Sequence, residues 1–144
     1  MNKFMIFAIA MLITVLNLPA FSAEKTEIET VSAENLKKMM DDKAHFILID
    51  ARKAEDYNKE HIVSAISLPA TDVNSETLQK IAPEVTTKLV FYCQNLRCQA
   101  SHIAASKALG AGYKYLYEFG AGIDGWKELG LPTVIETADD AKEK

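Results

Sequence analysis

Residues 88–101 read Lys-Leu-Val-Phe-Tyr-Cys-Gln-Asn-Leu-Arg-Cys-Gln-Ala-Ser, an apolar run that leads directly into a segment holding both cysteines of the chain. The run over 88–92 lacks the alternation of a half-exposed strand, so it predicts a strand buried on both faces, as in a parallel sheet. Apolar residues at helical spacing over 103–109 predict a helix after the cysteine segment, ended by Gly110. We therefore expect a strand, a loop and a helix in succession.

The same succession of short apolar runs and helical segments extends in both directions from this stretch. Ser32 is expected to cap a helix that ends near Asp42, and the apolar run over 46–49 predicts a second buried strand. Further helical segments are predicted at 54–59, after Ser75 and at 122–129, and further strands at 62–68 and 113–119. Residues 23–30 are polar and expected to be frayed. Strands alternating with helices predict one α/β domain with a central, mostly parallel sheet flanked by helices.

The N-terminal segment differs from the rest of the chain. One lysine precedes an apolar run over 4–16, a proline follows, and small residues then lead to Ser22 and Ala23. This is the layout of a secretory signal peptide, and the run is shorter than the roughly 20 apolar residues that span a bilayer. An uncleaved membrane anchor is the alternative. We expect residues 1–22 to be a signal peptide and residues 23–144 to be a periplasmic or secreted domain, without stable membrane association after cleavage.

Composition excludes several classes of protein. The chain has 144 residues, 25% of them charged and 49% hydrophobic, which is ordinary for a folded domain and excludes a collagen-like or wholly disordered chain. Two cysteines are too few for a disulfide-stapled miniprotein or a four-cysteine zinc ribbon. The net charge of −4 offers no basic stripe for phosphates, so we expect no nucleic-acid partner.

Cys93 directly follows the predicted strand over 88–92, which puts it at the sheet edge where α/β proteins bind ligands. A loop that feeds a helix N-terminus points backbone N–H groups inward, and such groups favour an anion or a thiolate. Arg97 adds positive charge nearby. Cys93 is therefore a candidate nucleophile, and a small buried cysteine or half of a structural disulfide is the alternative from position alone.

Three motifs resemble signatures of the rhodanese family. Residues 49–52, Ile-Asp-Ala-Arg, with the His-Ile and Leu-Pro pairs that follow by residue 69, are similar to the first signature. The strand ending in Tyr-Cys at 92–93 resembles the strand that leads into the family's active-site loop. Residues 121–132 are similar to the closing Gly-Gly-Ile-x-x-Trp and Gly-Leu-Pro pattern. The match covers roughly 32–134 and implies a rhodanese-like domain, whose cysteine carries sulfane sulfur as a persulfide.

The cysteine segment departs from the family's common loop, which has cysteine, four residues, arginine or threonine, and then serine. Here Cys98 occupies the sixth position, Arg97 comes one place early and Ser101 two places late, so a longer loop is expected. Phosphatase relatives of this fold need arginine six places after the cysteine, where this chain has Gln99. That argues against phosphatase or arsenate reductase chemistry.

The resemblance implies a sulfurtransferase that takes a small sulfur-containing anion such as thiosulfate and passes its outer sulfur to a thiol acceptor. Cys93 is the expected nucleophile, and Cys98 is a candidate to resolve the persulfide as a disulfide. Backbone N–H groups of the loop would stabilise the anionic persulfide. The expected substrate-binding residues are Gln94, Asn95, Leu96, Arg97, Cys98 and Arg52.

Two other functions stay open. A dithiol redox protein would cycle Cys93 and Cys98 between thiols and a disulfide, which an exported location favours. A non-catalytic binding module would use the altered loop only as a surface. We expect no cofactor: the Gly-x-Gly-x-x-Gly match at 120–125 lacks the strand–helix–strand unit of a dinucleotide site. We also expect no metal, because Cys93, Cys98 and His102 fall one ligand short of a closed zinc site.

Overall fold

A computed structural model describes residues 27–135, and all structural statements below refer to that range. Its strands are β1 Ile28–Thr30, β2 Ile47–Asp50, β3 His61–Ile62, β4 Ile66–Ser67, β5 Leu89–Tyr92, β6 Leu116–Phe119 and β7 Thr133–Val134. Its helices are α1 Ala33–Asp41, α2 Ala54–Lys59, α3 Ser75–Ile81, α4 Ala100–Gly110 and α5 Gly122–Glu128. No helix in this range is long and apolar enough to cross a bilayer. The predicted signal peptide lies outside the described residues.

Five strands form one parallel sheet in the order β1-β6-β5-β2-β4, and β3 pairs with β7 in a separate antiparallel pair. All four residues of β5 are fully buried, since the strand lies at the centre of the sheet with helices on both faces. Leu78 of α3 and Ala104 of α4 pack on one face. Leu36 of α1 and Trp126 of α5 pack on the other. The predicted central parallel sheet flanked by helices is confirmed.

The prediction that residues 23–30 are frayed is wrong over 28–30, which form the edge strand β1. These three residues pair in parallel with β6, from Ile28 opposite Leu116 to Thr30 opposite Glu118. Their polar composition hides the strand, because an edge strand with two of three residues exposed needs little apolar surface. The predicted strand over 62–68 is likewise two short strands, β3 and β4, separated by a turn at Ser64 with φ of 68°.

A buried ion pair ties the carboxyl ends of the central strands together. Asp50 is 0% exposed and accepts hydrogen bonds from the Arg52 guanidinium at 2.7 to 3.1 Å and from the Tyr92 hydroxyl at 2.8 Å. The Tyr92 hydroxyl accepts in turn from the Ile62 amide at 3.1 Å. Arg52 also donates to the Glu60 carbonyl at 2.6 Å. The pair thus connects β2, β5, β3 and the end of α2.

The surroundings of Arg52 favour its charged form. Burial alone would lower the pKa of Arg52, but the hydrogen bonds and the negative charge of Asp50 raise it above its ordinary value. Burial, followed by the charge of Asp50, raises the pKa of Tyr92, so that its hydroxyl stays protonated and can donate. The guanidinium and the phenol therefore both act as donors to one carboxylate.

Gly122 allows α5 to approach the end of strand β5 very closely. The Ile123 amide donates to the Cys93 carbonyl and the Asp124 amide to the Gln94 carbonyl, each at 3.0 Å. Gly122 has φ of 63°, and a Cβ there would lie 2.4 Å from the Cys93 carbonyl oxygen. Among the glycines of the match at 120–125, Gly122 therefore has a close-packing role.

We predict that Gly122→Ala destabilises the domain more than Gly130→Ala. Gly130 has nearly the same φ, 65°, but open space where its Cβ would stand. Both variants carry the backbone strain of a left-handed residue, about 1 kcal/mol each, whereas Gly122→Ala adds a backbone collision for a total of about 2 kcal/mol or more. Urea unfolding measures both values. Equal losses in the two variants would show that the close approach contributes nothing.

We predict that Asp50→Asn lowers the free energy of unfolding by roughly 3 kcal/mol or more, because it leaves the buried Arg52 charge without its carboxylate. The matched control is Glu76→Gln, which removes one carboxylate from the exposed ion pair with Lys80. Such an exposed pair contributes little, since water and salt screen it. The midpoint of urea unfolding compares the two variants, and a similar small effect in both would contradict the central role of Asp50.

Candidate active site

The Cys93 thiol lies directly after β5 and is 0% exposed. Its Sγ is 3.2 Å from the Cys98 carbonyl oxygen, 3.9 Å from the Asn95 carbonyl oxygen and 3.4 Å from the Ser101 hydroxyl. All three of these are oxygen atoms that can accept a hydrogen bond from the thiol. The segment from Cys93 to Ser101 therefore folds around the sulfur atom.

The pKa of Cys93 is raised above its ordinary value, contrary to the expectation that the loop favours a thiolate. Burial is the main cause, and hydrogen bonding to the Cys98 side chain adds to it. The hydroxyl and the backbone N–H of Ser101 act in the opposite direction and lower this pKa. At neutral pH the resting form of Cys93 is accordingly the thiol.

Backbone amides of the loop are partly used by the loop itself. The Cys98 amide donates to the Asn95 carbonyl at 3.0 Å, and the Arg97 amide donates to the Asn95 side-chain oxygen at 3.1 Å. The amide that does act on the thiol belongs to Ser101, in the first turn of α4. The expected amide cradle over 94–98 is thus shifted toward the start of the helix in this resting structure.

Side-chain hydrogen bonds hold the first part of the loop. Gln94 accepts from Arg52 at 3.0 Å and donates to Asp124 at 2.6 Å. Asn95 donates to the other oxygen of Asp124 at 2.9 Å. Arg52 is therefore joined to the loop through Gln94. The hydrogen bonds that it donates to Asp50, Gln94 and Glu60 give it a structural role.

Leu96 and Arg97 form the tip of the loop. The Leu96 side chain is 84% exposed. Arg97 is exposed and borders a shallow cleft that also includes Asp124 and Glu128. The positive charge of Arg97, which was expected to favour an anion beside the thiol, lies next to two carboxylates in this cleft.

A pocket of about 420 Å³ opens on the other side of the loop. Arg52, Lys53, Gln94 and Cys98 are part of its wall, together with apolar residues such as Ala51 and Pro69. Cys98 is half-buried there as a free thiol. The pocket and the Cys93 sulfur therefore share Cys98 as a common neighbour, and the charged residues of the wall are Arg52, Lys53 and Asp56.

Two polar residues beside the thiol were not identified as functional from the sequence. Ser101 is 0% exposed and donates to Glu118 Oε1 at 2.9 Å, while Glu118 Oε2 lies 3.1 Å from His102 Nδ1. Glu118 stands on β6, next to β5 in the sheet. The one available signal was an acidic residue in the predicted strand over 113–119, which is apolar or aromatic apart from this residue and Lys114.

The two other histidines, His45 and His61, and the tryptophan Trp126 have surface or structural positions. His61 stacks on Tyr57 at 3.8 Å and its Nδ1 lies 2.9 Å from the Tyr57 carbonyl oxygen. Trp126 is fully buried and donates to the Pro132 carbonyl at 2.9 Å, and His45 is exposed. Within 27–135, no group of three His, Cys, Asp or Glu side chains is arranged to hold a metal ion.

Comparisons with known proteins agree with this architecture. The Synechocystis sp. protein slr1261, described as uncharacterized, is 31% identical over 113 residues, which cover 78% of this chain and 59% of slr1261. This chain thus matches less than two thirds of that relative's length. The crystal structure of the BH2092 protein from Bacillus halodurans has a TM-score of 0.68 at 25% identity, covering 75% of this chain and 77% of that one.

A crystal structure of thiosulfate sulfurtransferase from Pseudomonas aeruginosa also has a TM-score of 0.68, at 22% identity, covering 76% of this chain and 21% of that one. This likeness shows the fold. The family model of the rhodanese-like domain matches residues 32–129, which include β2, β5, β6 and the cysteine loop. Because this match covers well over half of the chain, the chain belongs to the rhodanese-like domain family.

Proposed function

We propose that this protein is a sulfurtransferase that moves sulfane sulfur from a donor such as thiosulfate to a thiol acceptor through a persulfide on Cys93. The observation that carries the proposal is the buried thiol of Cys93 at the end of β5, next to a pocket whose wall includes Cys98. Membership in the rhodanese-like family and the shared fold of a thiosulfate sulfurtransferase support it.

The reaction has two transfers of one sulfur atom. The Cys93 thiolate attacks the outer sulfur of thiosulfate, an S–S bond forms to Sγ, and sulfite leaves with the electron pair of the broken S–S bond. The thiolate of an acceptor then attacks the outer sulfur of the Cys93 persulfide and regenerates the Cys93 thiolate. No net oxidation of the protein occurs in this cycle.

The pocket suits a small anionic donor. Its wall carries two cations, Lys53 and Arg52, against one carboxylate, Asp56, and Lys53 is the exposed cation because Arg52 is paired with Asp50. Its volume of about 420 Å³ exceeds what thiosulfate needs, which leaves room for a thiol acceptor of moderate size. We expect Lys53 rather than Arg97 to attract the donor, since Arg97 borders the acidic cleft.

We predict that Cys93→Ser abolishes sulfite release from thiosulfate with cyanide as acceptor, because the hydroxyl cannot carry sulfane sulfur. The matched variant Cys98→Ser retains formation of the Cys93 persulfide. Sulfite release and intact-protein mass measure the two effects. Equal activity in Cys93→Ser and the unaltered protein would overturn the proposal.

A second candidate is a dithiol redox protein in which Cys93 and Cys98 form a disulfide. It is favoured by the interaction between the two thiols, which contributes to the raised pKa of Cys93. Both cysteines are free thiols here, and Cys98 is the more exposed. In this function the pair would transfer two electrons and no sulfur atom.

Mass measurement separates the two functions. After incubation with thiosulfate, we predict that the Cys98→Ser variant gains one sulfur atom that a thiol reductant removes. For a dithiol redox protein, mild oxidation instead removes two hydrogen atoms from the unaltered protein, and thiosulfate adds nothing to either form. A stable disulfide with no sulfur gain in Cys98→Ser would favour the second candidate.

A further inference from the structure

We propose that Glu118 accepts the proton of the Cys93 thiol through the hydroxyl of Ser101, so that the buried thiol becomes a nucleophile only as it reacts. The inference deepens the proposed function, since it concerns the activation of the same sulfur atom. It assigns a role to Ser101, Glu118 and His102, which the reaction described above does not use.

A proton acceptor is needed because the resting group is a thiol. Burial raises the pKa of Cys93, and the carbonyl oxygens of Asn95 and Cys98 can only accept from the thiol. A thiolate is the reactive form toward sulfane sulfur. The thiol proton therefore has to leave a site in which Cys93 is not exposed to solvent.

The direction of the hydrogen bonds marks the route. Ser101 has one hydroxyl proton, and it donates this proton to Glu118 Oε1 at 2.9 Å. The Ser101 oxygen, 3.4 Å from Cys93 Sγ, is then left to accept from the S–H group. Ser101 thus points its donor at the carboxylate, and the thiol has two close acceptors to choose between, the Ser101 oxygen at 3.4 Å and the Cys98 carbonyl oxygen at 3.2 Å. Donation from Cys93 to Ser101 completes the chain to Glu118.

Proton transfer along this chain balances without any further reactant. The Cys93 proton moves to the Ser101 oxygen while the Ser101 proton moves to Glu118, which yields a thiolate, an intact hydroxyl and a neutral carboxylic acid. The thiolate then forms the S–S bond to thiosulfate as sulfite leaves. When the proton transfer runs in the reverse direction, the Glu118 carboxylic acid donates to Ser101, and Ser101 donates to the anionic sulfur on Cys93.

Exposure increases along the chain from the sulfur to the surface. Cys93 and Ser101 are 0% exposed, the Glu118 side chain is 19% exposed, and the His102 side chain is 63% exposed. Glu118 can thus return its proton to water. His102 lies against the second carboxylate oxygen and holds Glu118 in place. Because Glu118 reaches the thiol only through Ser101, it is a positioning residue.

The other ionisable groups around the thiol are engaged elsewhere. From α5, Asp124 accepts from Gln94 and Asn95. From the end of β2, Arg52 is paired with Asp50. Cys98 from the loop interacts with the thiol itself and raises its pKa. Within 27–135, Glu118 from β6 is the carboxylate joined to the thiol by one intervening hydroxyl.

The experiment compares Glu118→Gln with Glu29→Gln, both in a Cys98→Ser background in which Cys93 is the single thiol. Glu29 is an exposed carboxylate on the adjacent strand β1, so its variant makes the same charge change outside the chain. Two rates are followed from pH 6 to pH 10: alkylation of Cys93 by iodoacetamide and single-turnover sulfite release from thiosulfate. Urea unfolding checks the stability of each variant.

We expect Glu118→Gln to slow both reactions at least about tenfold near pH 6.5, as for the loss of a general base. The deficit shrinks toward pH 10, since hydroxide then removes the thiol proton directly. Ser101→Ala is expected to show the same pH-dependent deficit, whereas Glu29→Gln behaves like the background protein. A merely structural carboxylate would not give a deficit that disappears at high pH.

Three results would overturn the inference: a deficit in Glu118→Gln that is the same at every pH, a rate that is unchanged, or a faster reaction at neutral pH. The last result would mean that the carboxylate only repels the thiolate. If alkylation shows the pH-dependent deficit but no persulfide or sulfite forms in any variant, the proposed function fails and the inference stands. A Cys93 that reacts with neither reagent at any pH overturns both.

Discussion

The buried ion pair between Asp50 and Arg52 is the interaction on which the sheet edge that carries Cys93 depends. Two charges out of water are unfavourable unless every polar atom finds a partner, and here Arg52, Tyr92 and the Arg52 amide all donate to one carboxylate. The same guanidinium donates to Gln94 in the cysteine loop. The fold thus uses one satisfied charge pair to position the ends of β2 and β5 and the beginning of the loop together.

The loop around Cys93 is held mostly by groups that lie outside it. The amides of Ile123 and Asp124 donate to the carbonyls of the first two loop residues, Cys93 and Gln94. The Asp124 carboxylate accepts from the side-chain amides of Gln94 and Asn95, and Arg52 donates to Gln94. These contacts come from two separate parts of the chain, α5 and the segment that follows β2. These outside contacts hold the loop in its fold around the sulfur.

Sequence alone predicted the elements that carry strong local patterns. The unbroken apolar runs at β2 and β5 predicted buried parallel strands, and the position after β5 predicted the sheet edge for Cys93. β1 and β7 were missed because two or three residues paired at an edge leave no periodic signal. The shift in the pKa of the Cys93 thiol was predicted in the wrong direction, because burial, its main cause, depends on how the loop folds around Sγ. Glu118 could not be assigned, since its link to Ser101 arises only when β6 and α4 pack together.

The position of β1 in the sheet also constrains the order in which the domain is built. Ile28–Thr30 comes first along the described chain but pairs only with β6, whose first residue, Leu116, lies opposite Ile28. Every neighbouring pair in the main sheet is parallel, so each pairing closes a long connection instead of a tight hairpin. During synthesis, β1 can therefore pair only after nearly the whole domain has been made. Until β6 is available, β5 exposes an unpaired edge, and a chain that stops before residue 116 is expected to associate with other chains along that edge.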